Sequence, residues 1–228
     1  MNIVMIPARG GSKGIVKKNL YKFCDKPLIF WSILQAKQSK LVDKVVVTSD
    51  DDEILLYCQK LGVTVIQRPK KISGDNASSE EALIHATKKL NLTNDLIIFL
   101  QATSPLRLPR DIDNSILQSK KSNSRILFSG SKLEDIIIWE HFKNKLKCIN
   151  ADWKKRKPRQ EHEKNYIIEN GSIYIFPSSH LLKFKNRMSS KMDIYFMKSW
   201  QSFEIDTLDD LKFCEKLFYE NLLNNYIS

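Results

Sequence analysis

With 228 residues, 42% of them hydrophobic and 28% charged, the chain has the balance of a folded globular domain, which excludes a disordered or fibrous protein; it is long enough to bury a core without staples. Its 37 basic against 26 acidic side chains leave a net charge of +11, an excess that suits an anionic partner, and its scatter along the whole chain as lysine argues against bulk nucleic-acid binding. Cys24, Cys58, Cys148 and Cys214 form no Cys-x-x-Cys pair, no apolar run approaches the roughly 20 residues of a membrane span, and the start MNIVMIPARGG lacks a basic region followed by a long apolar one, so the expectation is a cytoplasmic protein with reduced thiols and no membrane contact.

Short continuous apolar runs occur at Ile3 to Ile6, ending in Pro7, at Val45 to Val47 before Thr48-Ser49-Asp50, at Val63 to Ile66 after Gly62, and at Leu96 to Leu100 after Asn94-Asp95. Runs without polar alternation predict buried parallel strands, covered on both faces. Between them, helical spacing predicts helices at about 27–39, 51–61, 78–90 and 110–120, with Ser78 or Ser79 capping one and Asp50 preceding another. This is the pattern of an α/β protein with a mostly parallel central sheet. From about 130 to 165 the regularity fails, and the segment reads as an excursion of hairpin-like strands and loops, inserted in a single domain spanning 1–228. Its run Ile136-Ile137-Ile138-Trp139 is more apolar surface than a small projection buries alone, which predicts a homodimer interface, and its basic stretch from Lys154 to Lys157 reads as solvated surface or a partner-facing patch. The core resumes with a strand at Gly171 to Phe176, a short helix near 178–184, a strand at about 193–197 and a last helix from about 207 to 223.

The strongest chemical signal is the glycine-rich basic loop Ala8-Arg9-Gly10-Gly11-Ser12-Lys13-Gly14-Ile15-Val16-Lys17-Lys18-Asn19, directly after the first strand. In an open parallel sheet, ligands bind beyond the carboxyl ends of the strands. Glycines such as Gly10 let backbone N–H groups approach phosphate oxygens, and Arg9, Ser12, Lys13 and Lys18 can hold a triphosphate. The loop is neither a Walker A sequence nor a dinucleotide fingerprint. Asn19 is suited either to read a base edge or to cap the following turn. Tyr174 either lines a pocket or belongs to the core, and Arg107 either serves the site or holds loop carbonyls. Asp75 is expected to order its loop through backbone hydrogen bonds. For a metal, Glu204 and Asp206 precede the last helix and point the same way if the backbone is extended, whereas Asp50-Asp51-Asp52-Glu53, Asp111 and Asp113 open helices, where carboxylates are favoured structurally. The four histidines show no metal-ligand spacing.

The pattern Ala-Arg-x-x-Ser-Lys-Gly followed by Lys-Asn resembles the opening of the CMP-N-acylneuraminate synthetases, the cytidylyltransferases that activate sialic acid and related nine-carbon 2-keto sugar acids, legionaminic and pseudaminic acid among them. The likeness continues in collinear order through Thr48-Ser49-Asp50, Arg68-Pro69, Asp75, Ala77-Ser78-Ser79, Gln101-Ala102-Thr103-Ser104-Pro105-Leu106-Arg107, Arg159-Gln160, Asn170-Gly171 and Glu204-Ile205-Asp206. It implies a Rossmann-like nucleotidyltransferase fold with a small dimerisation excursion, CTP and an acidic nine-carbon sugar as partners, and Mg²⁺ as cofactor. It also implies Lys18 nearest the reacting α-phosphate with Arg9 beside it as the catalytic pair, Asn19, Arg68 and Ser79 on the nucleotide, Gln101 and Arg159 toward the sugar acid with Tyr174 in the same pocket, and a metal on Asp206 and Glu204. Glu204 departs from the family's usual Asp-x-Asp. Two alternatives stand beside this reading: a cytidylyltransferase for another acidic sugar such as 3-deoxy-manno-octulosonate, and a nucleic-acid-binding module using Lys154 to Arg159.

Overall fold

The computed structural model describes residues 1–123, 125–133, 136–155 and 166–226. In chain order the elements are β1 (Asn2–Pro7), the two-residue strands β2 (Lys22–Phe23) and β3 (Lys26–Pro27), α1 (Leu28–Gln38), β4 (Lys44–Ser49), α2 (Asp52–Lys60), β5 (Thr64–Gln67), α3 (Ser79–Lys89) and β6 (Leu96–Leu100). They continue with α4 (Pro109–Lys121), β7 (Leu127–Leu133), β8 (Trp139–Phe142), β9 (Lys145–Cys148), β10 (Tyr166–Pro177), α5 (Ser178–Phe184), β11 (Asp193–Phe196) and α6 (Leu208–Asn221). Seven strands form one sheet in the order β11-β7-β10-β6-β1-β4-β5. β10 alone runs against its neighbours, pairing antiparallel with both β6 and β7, so the sheet is mostly parallel.

The apolar runs are buried because helices cover both faces. Val4, Ile6, Val47, Ile98 and Leu100 pack with Ile29 and Ile33 of α1, Ile54 and Cys58 of α2, and Ile112 and Ile116 of α4. The alternate residues Ile3, Met5, Val46, Ile97 and Phe99 pack on the other face with Leu83 and Ala86 of α3 and Leu181 of α5. A strand that buries both of its side-chain rows has no polar row left, which is why the sequence shows none. A third cluster seats α6, through Leu211, Cys214 and Phe218, against Phe23, Leu28, Trp31 and Leu106 below the loop that follows β6.

Two expectations about this framework are corrected. The helix after β4 is capped by Asp51, whose carboxylate accepts from the Glu53 and Ile54 N–H groups, and not by Asp50. The irregular region begins later than about 130, because β7 runs to Leu133 inside the main sheet. Beyond it, β8 and β9 form a separate antiparallel hairpin. Among the described residues, no helix is long and apolar enough to cross a membrane.

Candidate active site

From β1 the chain steps to β4 and β5 on one side, then returns to β6 on the other. The reversal opens a crevice at the carboxyl ends of β1 and β6, where the loops after the two strands diverge. A cleft of about 340 Å³ lies there. Arg9, Ser12, Lys18 and Asn19 line it from the loop after β1, Arg68 from the end of β5, and Asp75, Ser78 and Ser79 from the approach to α3. Phe99, Gln101 and Thr103 line it from β6 and its loop, and Glu204 and Asp206 from the segment before α6.

The cations of the first loop are held by carboxylates and carbonyls. Arg9 Nη1 donates to the Gly74 carbonyl and to Asp75 Oδ1, both at 3.3 Å, and Lys13 Nζ lies 3.2 Å from Asp75 Oδ2. Asp75 therefore organises the basic loop through its side chain, where backbone hydrogen bonds were expected. Lys13 sits at the rim, largely exposed, and is not part of the lining. Lys18 reaches across to the far wall: its Nζ donates to Asp206 Oδ1 at 2.8 Å and to the Ile205 carbonyl at 3.0 Å, with only 13% of the side chain exposed. Gly14 makes that approach possible, since a β-carbon there would lie 2.0 Å from the Asp206 carbonyl oxygen.

Arg68 is 6% exposed, its Nη2 3.6 Å from Asp50 Oδ1 and its Nε without a partner. Burial lowers its guanidinium from the ordinary value, and the Asp50 charge opposes that shift. Asp50 also accepts from the Gly10 N–H at 3.2 Å, so one carboxylate ties the end of β4 to both the glycine loop and Arg68. Gly10 itself packs on Asp51 rather than lining the cleft. Asn19 lines the cleft and donates one side-chain N–H to the Arg9 carbonyl at 2.9 Å, which ties the basic loop to itself; the turn that follows Lys17 contains Asn19 rather than being capped by it.

The far wall rests on Arg107, fully buried and forked across three elements. Its Nε donates to Ser172 Oγ at 2.9 Å, Nη1 to Ser32 Oγ at 2.9 Å and Gln35 Oε1 at 3.2 Å, and Nη2 to the carbonyls of Gln101 and Ser104. Every N–H of the guanidinium has an acceptor, which is what a buried cation without a contacting carboxylate requires. Burial lowers its pKa to about 10. Of the two roles open to Arg107 from sequence, the geometry is that of holding loop carbonyls. Tyr174, likewise ambiguous, is 3% exposed, stacks on Phe99 at 5.3 Å and donates its hydroxyl to Glu169; Phe99, and not Tyr174, lines the cleft. Phe99 went unmarked at the sequence level, although a period-2 signal was present: it lies two residues before Gln101 on the same strand face.

Glu204 and Asp206 both face the cleft but differ in setting. Asp206 is exposed beside Lys18, whereas Glu204 is partly buried over Gly171. Burial first, and the Asp206 charge second, raise the Glu204 carboxyl above its usual range. Among the described residues no cluster of three metal-ligating side chains occurs. Mg²⁺ does not need one, since it keeps several waters and binds through one or two carboxylates plus substrate phosphates; an exposed Asp206 with a second carboxylate two residues away fits that demand. Asp111 and Asp113 do structural work: Asp111 accepts from the Leu108 N–H at 2.8 Å, and Asp113 from the Leu41 N–H at 3.0 Å and the Ser39 hydroxyl. Arg159, with Gln160, lies outside the described residues.

Comparison with known proteins gives the family and the fold. The family described as "Cytidylyltransferase" matches residues 3–227. Pseudaminic acid cytidylyltransferase of Campylobacter jejuni is 31% identical over 225 residues, covering 96% of this chain and 97% of the relative. N-acylneuraminate cytidylyltransferase of Escherichia coli is 31% identical over 219 residues, covering 92% of this chain and 50% of that longer protein. Among solved structures, CMP:2-keto-3-deoxy-manno-octonic acid synthetase complexed with CTP superimposes with a TM-score of 0.71 at 19% identity, over 97% of this chain and 99% of that one, a likeness of fold. A crevice at the sheet's reversal, lined by a glycine-rich basic loop and faced by carboxylates, together with a family match across nearly the whole chain, makes this a nucleotidyltransferase of the cytidylyltransferase family.

Proposed function

We propose that the enzyme transfers CMP from CTP to a nine-carbon 2-keto sugar acid of the sialic, legionaminic or pseudaminic type. The anomeric hydroxyl oxygen bonds to the α-phosphorus, the bond from that phosphorus to the bridging oxygen breaks, pyrophosphate leaves, and the hydroxyl proton passes to solvent. The observation that carries this reading is Lys18, a largely buried ammonium spanning the cleft between the phosphate-binding loop and the carboxylate of Asp206. In the reaction Lys18 turns its charge on the α-phosphate, Arg9 and Ser12 with the loop backbone hold the outer phosphates, Arg68 and Ser79 contact the nucleoside, and Gln101 faces the sugar acid. Rate enhancement comes from positioning and charge neutralisation, with no covalent enzyme intermediate. Asp206, with Glu204 beside it, would hold Mg²⁺, which supplies charge neutralisation at the phosphate oxygens when bound. We also place the enzyme in the cytoplasm, as a homodimer joined through the β8–β9 hairpin.

The names of the relatives support a nine-carbon acid over an eight-carbon one, since the proteins similar in sequence act on pseudaminic and N-acylneuraminic acid while the octonic acid enzyme is alike in fold. Pyrophosphate release from CTP and Mg²⁺ across a panel of 2-keto sugar acids tests the proposal. Turnover with one or more nine-carbon acids, abolished by Asp206→Asn with the fold intact, is the expected result; turnover restricted to the eight-carbon acid, or full activity in the variant at limiting Mg²⁺, would require the assignment to be rebuilt.

A further inference from the structure

The carboxylate proposed to hold Mg²⁺ is engaged by the same cation that is proposed to meet the α-phosphate: Lys18 Nζ donates to Asp206 Oδ1 at 2.8 Å and to the Ile205 carbonyl at 3.0 Å. Both backbones behind this pair are fixed. On the Asp206 side the Ile205 N–H donates to the Thr103 carbonyl at 2.8 Å, and the Asp206 and Thr207 N–H groups donate to Asp210 Oδ2 at 3.1 and 2.8 Å. On the Lys18 side the single turn Lys18–Leu20 is closed by the Leu20 and Tyr21 N–H groups on the Lys17 carbonyl, at 2.8 and 3.0 Å. The pair therefore opens by rotation of its side chains alone. Its two members differ in access, with 13% of the Lys18 side chain exposed against 72% of Asp206, so the ammonium is confined to the cleft while the carboxylate is open to a ligand from solvent.

We propose that the Lys18–Asp206 pair couples nucleotide binding to metal binding: divalent metal binds weakly while Lys18 holds Asp206, and the triphosphate, by drawing the ammonium to its own oxygens, frees Asp206 for the metal. An ammonium on Asp206 neutralises the charge that a hard dication needs, and a dication on the same carboxylate would meet that ammonium as a like charge. A phosphate offers Lys18 a second anion in exchange for the first. Because Lys18 trades one anionic partner for another, its removal changes CTP affinity little, whereas its effect on metal binding is large. The coupling is reciprocal: metal on Asp206 releases Lys18 toward the phosphate by the same factor.

This inference rests on the proposed function, and the test separates the two. Turnover by the wild type across the sugar-acid panel tests the function alone. For the inference, Mn²⁺ binding is followed by electron paramagnetic resonance on the enzyme without nucleotide, since CTP itself chelates the metal. Lys18→Met, which keeps the apolar stem and removes the charge, is expected to tighten Mn²⁺ binding about tenfold, the scale of coupling between neighbouring sites. Lys18→Arg, which retains a donor to Asp206, should bind Mn²⁺ as the wild type does. So should Lys13→Met, which removes the same charge from the rim. Adding Asp206→Asn to Lys18→Met should cancel the gain. The nucleotide half is read by calorimetry with CTP in EDTA: Asp206→Asn should tighten metal-free CTP binding about tenfold where Lys18 is present, and about threefold at most in Lys18→Met. Equal Mn²⁺ affinity in the wild type and Lys18→Met would overturn the proposal, as would an equal gain in Lys13→Met. A gain that survives Asp206→Asn would overturn it too, because the metal would then lie elsewhere.

Discussion

Lys18 is the residue on which the proposed chemistry depends most. Its ammonium is shielded from water and bound to the Asp206 carboxylate and the Ile205 carbonyl, so it is delivered to the crevice by packing and needs little reorganisation to meet a phosphate. Replacing it with alanine should lower kcat/KM by about 2–4 kcal/mol of transition-state stabilisation, roughly 30- to 1000-fold, with little change in CTP affinity. Single-turnover kinetics with separately measured CTP binding decides this, and near-normal turnover removes Lys18 from the mechanism. At this scale the sequence was informative wherever a residue's chemistry and its strand-end position coincided: Arg9, Ser12, Lys18, Arg68, Ser79, Gln101 and Asp206 all meet in one cleft. It was uninformative where a local partner intervenes. Asn19 ties one of its amide N–H groups to the Arg9 carbonyl, and Glu204 lies over a glycine 33 positions earlier, neither of which a linear reading reveals.

At the scale of elements, helix starts set the geometry of the crevice. The box at the head of α3 is reciprocal: the Glu81 N–H donates to Ser78 Oγ at 3.2 Å, and the Ser78 N–H donates to Glu81 Oε2 at 2.9 Å. Because Ser78 and Ser79 line the cleft, this cap fixes one wall as well as a helix end. Ser78→Ala should cost about 1 kcal/mol of stability, measured as a lower midpoint of denaturant unfolding with the slope unchanged; no loss would mean the cap contributes nothing. Strands β1, β4 and β6 were legible because both of their faces are buried, but β7 was not. Its sequence LFSGSKL puts Ser129 and Ser131 inside, where no apolar run marks a strand. Those polar groups are satisfied across the sheet: Ser129 Oγ donates to Asn170 Oδ1 at 2.6 Å and accepts from the Ile173 N–H at 2.7 Å, at the irregularity where the β10–β7 register shifts. The same apolar content also concealed that β10 runs antiparallel, because strand direction follows from connections rather than composition.

For the whole molecule, the reversal of strand order at β1 and β6 places the site, and the β8–β9 hairpin raises the question of assembly. All four residues of β8 are exposed, Phe142 at 65%, as is Leu146 of β9 at 67%, and the ring of Trp153 lies 6.4 Å from that of Trp139. A lone two-stranded hairpin is marginal in water, so this one is expected to be covered by a second copy. Light scattering at micromolar concentration should give twice the chain mass, and the double change Phe142→Glu and Leu146→Glu should give the single mass with the sheet intact; a monomeric wild type would refute the dimer. The transfer itself is read directly by phosphorus-31 NMR of the enzyme with CTP, Mg²⁺ and a nine-carbon 2-keto sugar acid. A new CMP-sugar phosphodiester resonance should grow in step with pyrophosphate and only with the sugar present; free CMP formed without it, or no loss of CTP with any acid of the panel, would rule out the proposed transfer.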